Sequence, residues 1–493
     1  MEWSREARYR RIQEATPEEL KQLKDSVDAC RHRQTFHIQP VTGLLNDPNG
    51  FSYFNGEYHL FYQWFPLGPV HGVKYWYHMS STDLVNWKDC GIALEPDCYF
   101  DSHGVFSGSG IEHNNQLYLM YTGNTRDENW IRHPYQCIAI MDQNGKIEKH
   151  PEPVIKSVPE GITDNFRDPK VFKLNDKFYC LIGSEKETTE GNKGTVVYYE
   201  SNDLISWDYK GEIKTTFNES GFMWECPDYF TLDGKGIMVI SPHGMKPDGD
   251  QYNNVFQSGY LVGDEINFKN GEFKHGAFTE LDRGFDFYAP QTMEDPYGRR
   301  ILVGWLGLPE IDCVTEESNW AHCLTLPREL SIKNNKLIQK PVKELEKLRG
   351  NRSEAMTYLT NEEKTLIGFN GTIYELNCLF TELTSGRVGV KLRTSSQEET
   401  VFYYDINDKK LVLNRENSGK MCGEEYGSIR KCIFDADELK LQIFVDTSSV
   451  EIFVNDGEEV FTSRIFTKEE STGIQFFADE TVKLQAQLWE LNK

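Results

Sequence analysis

At 493 residues the chain is too long for one hydrophobic core, since single cores stop growing at roughly 250–300 residues, and at least two domains are expected. With 53 Lys and Arg against 77 Asp and Glu the net charge is −24, which repels phosphate backbones and argues against a nucleic-acid partner. No run of 18 apolar residues occurs, so no membrane-spanning helix is predicted, and 38% hydrophobic content argues against a disordered chain.

Residues 1–34 read as a short helical segment packed on the main domain. Thr16-Pro17-Glu18-Glu19 supplies an N-cap, a proline at the first helical position and an acid at the third, and Leu20, Leu23 and Val27 follow at helical spacing. The segment lacks an apolar stretch and is not read as a secretory signal. The 11 cysteines are scattered without C-x-x-C pairs, so reduced thiols in a cytoplasmic protein are expected. The sequons at Asn218, Asn351 and Asn370 are then read as chance.

From His37 onward one unit recurs: an apolar strand, a polar turn, and a second aromatic-rich strand. It appears first as Phe51–Gln63. Its turns fall near residues 55, 115, 176, 233 and 298, with spacings of 60, 61, 57 and 65. A second motif, Ser81–Trp87, returns as Ser201–Trp207. Five repeats of this length predict a five-bladed β-propeller over residues 35–338, because one small sheet cannot bury both faces alone and radial packing covers each with its neighbour.

The repeats end near Leu330. The charged stretch 340–354 shows no strand pattern, and 339–354 is read as a linker. Alternation returns over 355–493, for example at Val388–Arg393 and Val450–Val454, with Asn455-Asp456-Gly457 as a hairpin turn. These strands suggest a β-sandwich or, second, a small barrel. The whole chain is therefore expected to be all-β apart from its N-terminal helices.

Acidic residues stand in similar places at the start of several repeats: Asp47 before Pro48, Asp168 before Pro169, Glu225 before Cys226-Pro227, and Asp286 before Phe287-Tyr288. The Asp-Pro and Cys-Pro pairs predict turns just before the inner strands. Taken singly, each acid could merely cap its turn. If the inner strands all enter at one end of the axis, Asp47, Asp168 and Glu225 meet there. Three carboxylates in one funnel must spread their pKa values, leaving one ionised to attack and another protonated to donate, as glycoside hydrolysis requires.

The run His37-x-x-Pro40-x4-Leu45-Asn46-Asp47-Pro48-Asn49-Gly50 resembles the signature of glycoside hydrolase family 32, which contains the invertases, sucrose-6-phosphate hydrolases and fructan hydrolases. Phe106–Ser109, Arg167-Asp168-Pro169, Glu225-Cys226-Pro227, Asp282–Tyr288 and Asp446–Gly457 match in the family's order. The resemblance implies a propeller followed by a sandwich. It also implies that Asp47 is the nucleophile of a fructosyl-enzyme intermediate and Glu225 the acid and then base. Asp168 would stabilise the oxocarbenium-like transition state, with Arg167 beside it. Asn46, Gln63, Phe106, Ser107 and Trp305 match positions lining the fructose subsite, and configuration should be retained. Cys226 is read as a wall of the pocket, since no histidine adjoins it in the motif to make a thiolate. No cofactor is implied, and no cluster has metal-ligand spacing.

One segment departs from the common pattern of the family. Where many members carry Trp-Gly-His after Gln63, this chain has His71, Lys74 and His78, a variant that resembles the bacterial sucrose-6-phosphate hydrolases. In so acidic a protein these cations can hold a phosphate dianion at the pocket rim. The plainer alternative pairs Lys74 with a surface acid and packs the histidines structurally. The expected partner is thus a small-molecule fructoside, sucrose 6-phosphate or sucrose, handled by a monomer or homodimer. An exo-fructanase acting on levan or inulin is the rival within the class, and a non-catalytic sugar-binding propeller the rival outside it.

Overall fold

The computed structural model describes residues 3–217 and 221–492; the sequon asparagine Asn218 lies outside them. Two short helices open the chain. Ser4 Oγ accepts from Ala7 N–H at the start of Arg5–Tyr9, and Thr16 Oγ1 accepts from Glu19 N–H at the start of Pro17–Asp28. Val27 is the buried residue of the second helix.

Five antiparallel meanders follow. Their innermost strands are Gly43–Phe54, Val105–His113, Ile162–Leu174, Met223–Leu232 and Tyr288–Glu294, here blades I to V. The five hairpin turns between first and second strands fall at the repeat positions read from the sequence, with Asn55, Asn115, Asn175 and Asp233 in left-handed backbone that Asn and Asp tolerate. The second repeated motif builds the same turn twice. Asp83 Oδ1 accepts from Val85 and Asn86 N–H in blade I, and Asp203 Oδ1 from Ile205 and Ser206 N–H in blade III.

The ring closes through a piece too short to show any periodicity. Trp320-Ala321 pairs in parallel with Gly43-Leu44 of blade I, and Cys323-Leu324 pairs with Trp305-Leu306 of blade V. The last blade is thereby joined to the first, with Trp320 fully buried at the seam.

Residues 339–354 are not a strandless linker. They contain the end of blade V's outer strand (Lys336–Pro341), a 3-10 turn (Lys343–Leu348) that buries Leu345 and Leu348, and the start of strand Arg349–Leu359. That edge strand alternates between half-buried and exposed residues from Ser353 to Leu359, but its inner face carries Ser353, Ala355 and Thr357 and its outer face Met356 and Tyr358, so polarity does not follow burial.

The C-terminal part is a sandwich rather than a barrel. Two separate six-stranded sheets share one core, which includes Leu376 and Ile443 from one sheet and Val390 and Phe476 from the other. The Asn455-Asp456-Gly457 turn has positive φ at all three residues, as a tight hairpin requires.

Propeller and sandwich meet through a buried ionic network. Arg328 lies between Asp282 (3.0 Å) and Glu451 (2.7 Å), His37 between Asp446 (2.8 Å) and Glu451 (3.0 Å), and Arg415 against Asp286 (2.9 Å). Asp286 therefore serves the domain interface and not the funnel. The motifs Asp282–Tyr288 and Asp446–Gly457 supply the two sides of this contact.

Candidate active site

All five inner strands carry a β-bulge at the same level. Residues 46–47 oppose the single residue Gln63, 106–107 oppose Thr122, 168–169 oppose Ile182, 226–227 oppose Ile240, and 289–290 oppose Gly304. A bulge bends its strand and re-aims the side chains beside it. The Asp-Pro and Cys-Pro pairs expected as turns before the strands thus lie within or beside bulges. Proline is tolerated there because a bulged residue owes no ladder hydrogen bond. Asp168, Cys226 and Ala289 take left-handed backbone, the strained signature of such sites.

The bulges converge on one cavity of about 570 Å³, lined by Asp47, Asp168 and Glu225 among others. Asp47 is held on both oxygens, by Ser107 Oγ–H at 2.5 Å and by Asn46 Nδ2–H at 3.2 Å. Behind it runs a chain of donors. Lys74 Nζ donates to Asn46 Oδ1 (2.7 Å), Asn46 to Gln63 Oε1 (2.6 Å), Gln63 Nε2 to Ser107 Oγ (2.6 Å), and Ser107 to Asp47. Asp168 Oδ2 accepts from Cys226 N–H at 3.0 Å, and its own amide donates to Thr122 Oγ1.

Glu225 is gripped on three sides. Arg167 approaches Oε1 at 2.7 and 2.9 Å, His243 Nε2 lies 2.6 Å from Oε2, and Tyr288 O–H donates to Oε2 at 2.8 Å. His243 itself stacks on Phe256 with ring centroids 3.9 Å apart. Neither His243 nor Tyr288 was singled out as a site residue. His243 ends blade IV's second strand, away from any acid-proline motif, so no local signal marks it.

The charges do spread, but the free site distributes them against expectation. Burial and the charge of Glu225 push the Asp47 carboxyl up, and push Asp168 up to about 7. Burial also works against ionisation of Glu225, yet His243, Arg167 and the hydrogen bonds from His243 and Tyr288 hold it well below the ordinary range. Glu225 thus favours its charged form in the free site, with His243 Nε2 against one of its oxygens.

Cys226 Sγ lies 3.6 Å from both Asp47 Oδ2 and Asp168 Oδ2. Burial and those carboxylates raise its thiol pKa far up, which disfavours a thiolate; Cys226 lies behind the two acids and is not among the residues lining the cavity. The sulfur and the two carboxylates lie within 4.8 Å of one another, a spacing a cation could use. Each of these carboxylates also accepts a hydrogen bond there, from Ser107 O–H and from Cys226 N–H.

Phe106, Arg167, Trp305, His71 and Lys74 also line the cavity. Trp305 is buried, with an indole N–H that meets no acceptor and packs beside Gly307 and His322. The expected cationic rim is not assembled. His78 lies inside blade I, 2.9 Å from His59 Nδ1 and stacked on Phe61 at 4.3 Å, because its strand position faces the sheet packing. Burial and Lys74 keep His71 neutral, and burial lowers the Lys74 pKa to about 7 against the pull of Asp47. Lys74 thus serves the Asp47 chain.

The chain was compared with known proteins. It matches the glycosyl hydrolases family 32 N-terminal domain over residues 37–341 and the family's C-terminal domain over 344–490. It is 45% identical over 474 residues to a sucrose-6-phosphate hydrolase of Staphylococcus xylosus, covering 96% of this chain and 95% of that one. It is 39% identical over 491 residues to that of Bacillus subtilis, covering 96% and 97%. Among solved structures, the sucrose-6-phosphate hydrolase of Lactobacillus gasseri superposes with a TM-score of 0.93 at 38% identity, covering 100% of this chain and 99% of that one. A β-fructofuranosidase of Bombyx mori superposes with a TM-score of 0.83 at 32% identity, covering 97% of each. With both family domains matched in order and a propeller and sandwich to carry them, the chain belongs to glycosyl hydrolases family 32.

Proposed function

We propose that the protein is a retaining β-fructofuranosidase that hydrolyses sucrose 6-phosphate and sucrose. The observation that carries this is the convergence of Asp47, Asp168 and Glu225, from three different blades, on one cavity. Its volume suits a disaccharide. Asp47, oriented by Ser107 and Asn46, attacks the anomeric carbon of fructose. Glu225 in its acid form gives its proton to the departing glycosidic oxygen, and the C–O bond to the leaving sugar breaks. A fructosyl ester on Asp47 results. Glu225 then takes a proton from water, whose oxygen attacks the same carbon and releases fructose and Asp47. Asp168, beside both reacting groups, balances the positive charge that develops on the ring. The eleven free cysteines support residence in a reducing cytosol.

The test is kcat/KM on sucrose 6-phosphate, sucrose and inulin, with the anomer of the first-released fructose read by NMR. Retention, and losses of about 10²–10⁴-fold or more in Asp47→Ala and Glu225→Ala, are expected. Inversion, or activity surviving either substitution, overturns the assignment. Inulin turned over faster than both sucrose compounds would make the enzyme a fructanase.

A further inference from the structure

Three arginines line the same cavity without an acid to pair with: Arg8 from the first helix, and Arg126 and Arg132 from blade II. Arg126 and Arg132 stand directly opposite each other at the end of the hairpin formed by Gln116–Arg126 and Arg132–Met141. Like charges in that position repel. Their hydrogen bonds go to neutral acceptors: Arg8 to Trp3 O and His71 O, Arg126 to Trp130 O, and Arg132 to Asn165 Oδ1. The Nε–H groups of both blade II arginines are buried with no acceptor. Among the described residues no carboxylate lies within salt-bridge distance of the three. Glu310, Asp312 and Glu316 line the cavity too, and Asp127, in the hairpin's own loop, is spent on the amides of Asn129 and Ile131 and on His133. In a chain of net charge −24, where Arg10, Arg167 and Arg283 all find acids, this is an uncompensated cationic patch.

The patch is built, not incidental. Trp130 in the hairpin loop packs against Tyr9 (5.1 Å) and His103 (5.4 Å) and lies under Arg5 (4.3 Å) and Arg126 (5.6 Å), which pins the first helix to blade II. Arg8 is thereby held beside the other two. The patch also lies on the leaving-group side. Arg132 and Arg167 donate to the same Asn165 Oδ1, at 2.8 and 2.7 Å, and Arg167 grips Glu225, the group that protonates the departing oxygen.

We propose that Arg8, Arg126 and Arg132 form a subsite for the phosphate monoester of the leaving sugar. The inference rests on the hydrolytic reading above and names the residues that select its phosphorylated substrate. A phosphate carries about −1.5 to −2 charge near neutrality and offers three acceptor oxygens, which matches several guanidinium forks.

The experiment compares the ratio of kcat/KM on sucrose 6-phosphate to that on sucrose in the unaltered enzyme, Arg126→Gln, Arg126→Lys and Arg8→Gln. The ratio is expected to fall at least tenfold in each glutamine variant, about 1.4 kcal/mol, and to recover in part in Arg126→Lys. An unchanged ratio, from no loss or from equal losses on both substrates, overturns the proposal. If Arg126→Gln does not fold, Arg8→Gln, on a surface helix, decides alone. Titration with glucose 6-phosphate separates this inference from the hydrolytic reading. If the unaltered protein hydrolyses neither fructoside, calorimetric binding that is lost in Arg8→Gln still upholds the subsite, and no binding overturns it. Inorganic phosphate binding as tightly as glucose 6-phosphate would mean a free-anion site and overturn the sugar-phosphate assignment.

Discussion

His243 Nε2 lies 2.6 Å from Glu225 Oε2 while the imidazole lies flat on Phe256, so the proton between them is held in one geometry by packing. The side chains facing this pair are Arg167 on the other Glu225 oxygen, Tyr288 on the shared one, and Asp47 and Asp168 across the cavity. His243 and its hydrogen bond are among the groups that hold the Glu225 carboxyl below its ordinary range. His243→Gln removes that influence, so the basic limb of the kcat/KM profile, read as loss of the Glu225 proton, should move to higher pH, with kcat lowered by about 10-fold or more and little change in KM. A loss of rate with an unmoved limb would reduce His243 to a packing role.

Lys74 heads the donor chain through Asn46, Gln63 and Ser107 to Asp47. Lys74→Met leaves Asn46 Oδ1 unpaired and frees its amide to turn. The expected result is a loss of about 10-fold or more in kcat on sucrose and on sucrose 6-phosphate alike. A loss confined to the phosphorylated sugar would return Lys74 to the phosphate-binding role expected from sequence.

Asp168 titrates near 7 in the free site, through burial and the charge of Glu225. In the proposed mechanism Asp168 is ionised to balance a developing cation, so activity should fall as pH drops, and the acid limb of kcat/KM should lie above pH 5. A profile flat to pH 4 would contradict this. The same shift has a stability consequence. A carboxyl whose folded pKa is raised costs stability increasingly as pH rises from its unfolded value, near 3.9, and the cost is complete above the folded value of about 7. Asp168→Asn removes that cost, so Tm should rise by about 2–4 °C or more at pH 8 and not at pH 4, while kcat collapses.

His37 is buried, which opposes its charge, but Asp446 and Glu451 raise its pKa to about 9. Because the folded value exceeds the unfolded value of about 6.5, its stabilisation is complete below 6.5 and is lost as pH rises through 9. Denaturant midpoints measured from pH 6 to 9.5 should show an extra decline of about 1–3 kcal/mol in the unaltered protein that His37→Gln lacks. Parallel curves for the two proteins would remove His37 from the interface energetics.

The repeat period, the blade count and the three acidic motifs were legible because each is local. A 60-residue spacing, Asn and Asp in left-handed turns, and an acid beside proline all leave marks within a few residues. The chain-closing strands Trp320-Ala321 and Cys323-Leu324 left none, since two residues cannot show a period. The first sandwich strand escaped notice because its half-buried face carries Ser353, Ala355 and Thr357 while Met356 and Tyr358 stand exposed, so polarity does not follow burial there.

Composition and motif order therefore determined the class of fold and the acids that line its axis, since these depend on what lies next to what along the chain. Tertiary structure alone decided the rest, because it depends on contacts between segments far apart in sequence. It turned Asp286 away to Arg415, drew Lys74 to Asn46 and buried His78 on Phe61. It also brought His243 from blade IV's second strand onto Glu225, and Arg8 to the wall that carries Arg126 and Arg132. A side chain's charge is written in the sequence; whether that charge meets a carboxylate, a neutral amide or an open cavity is set by the packing of the blades around one axis.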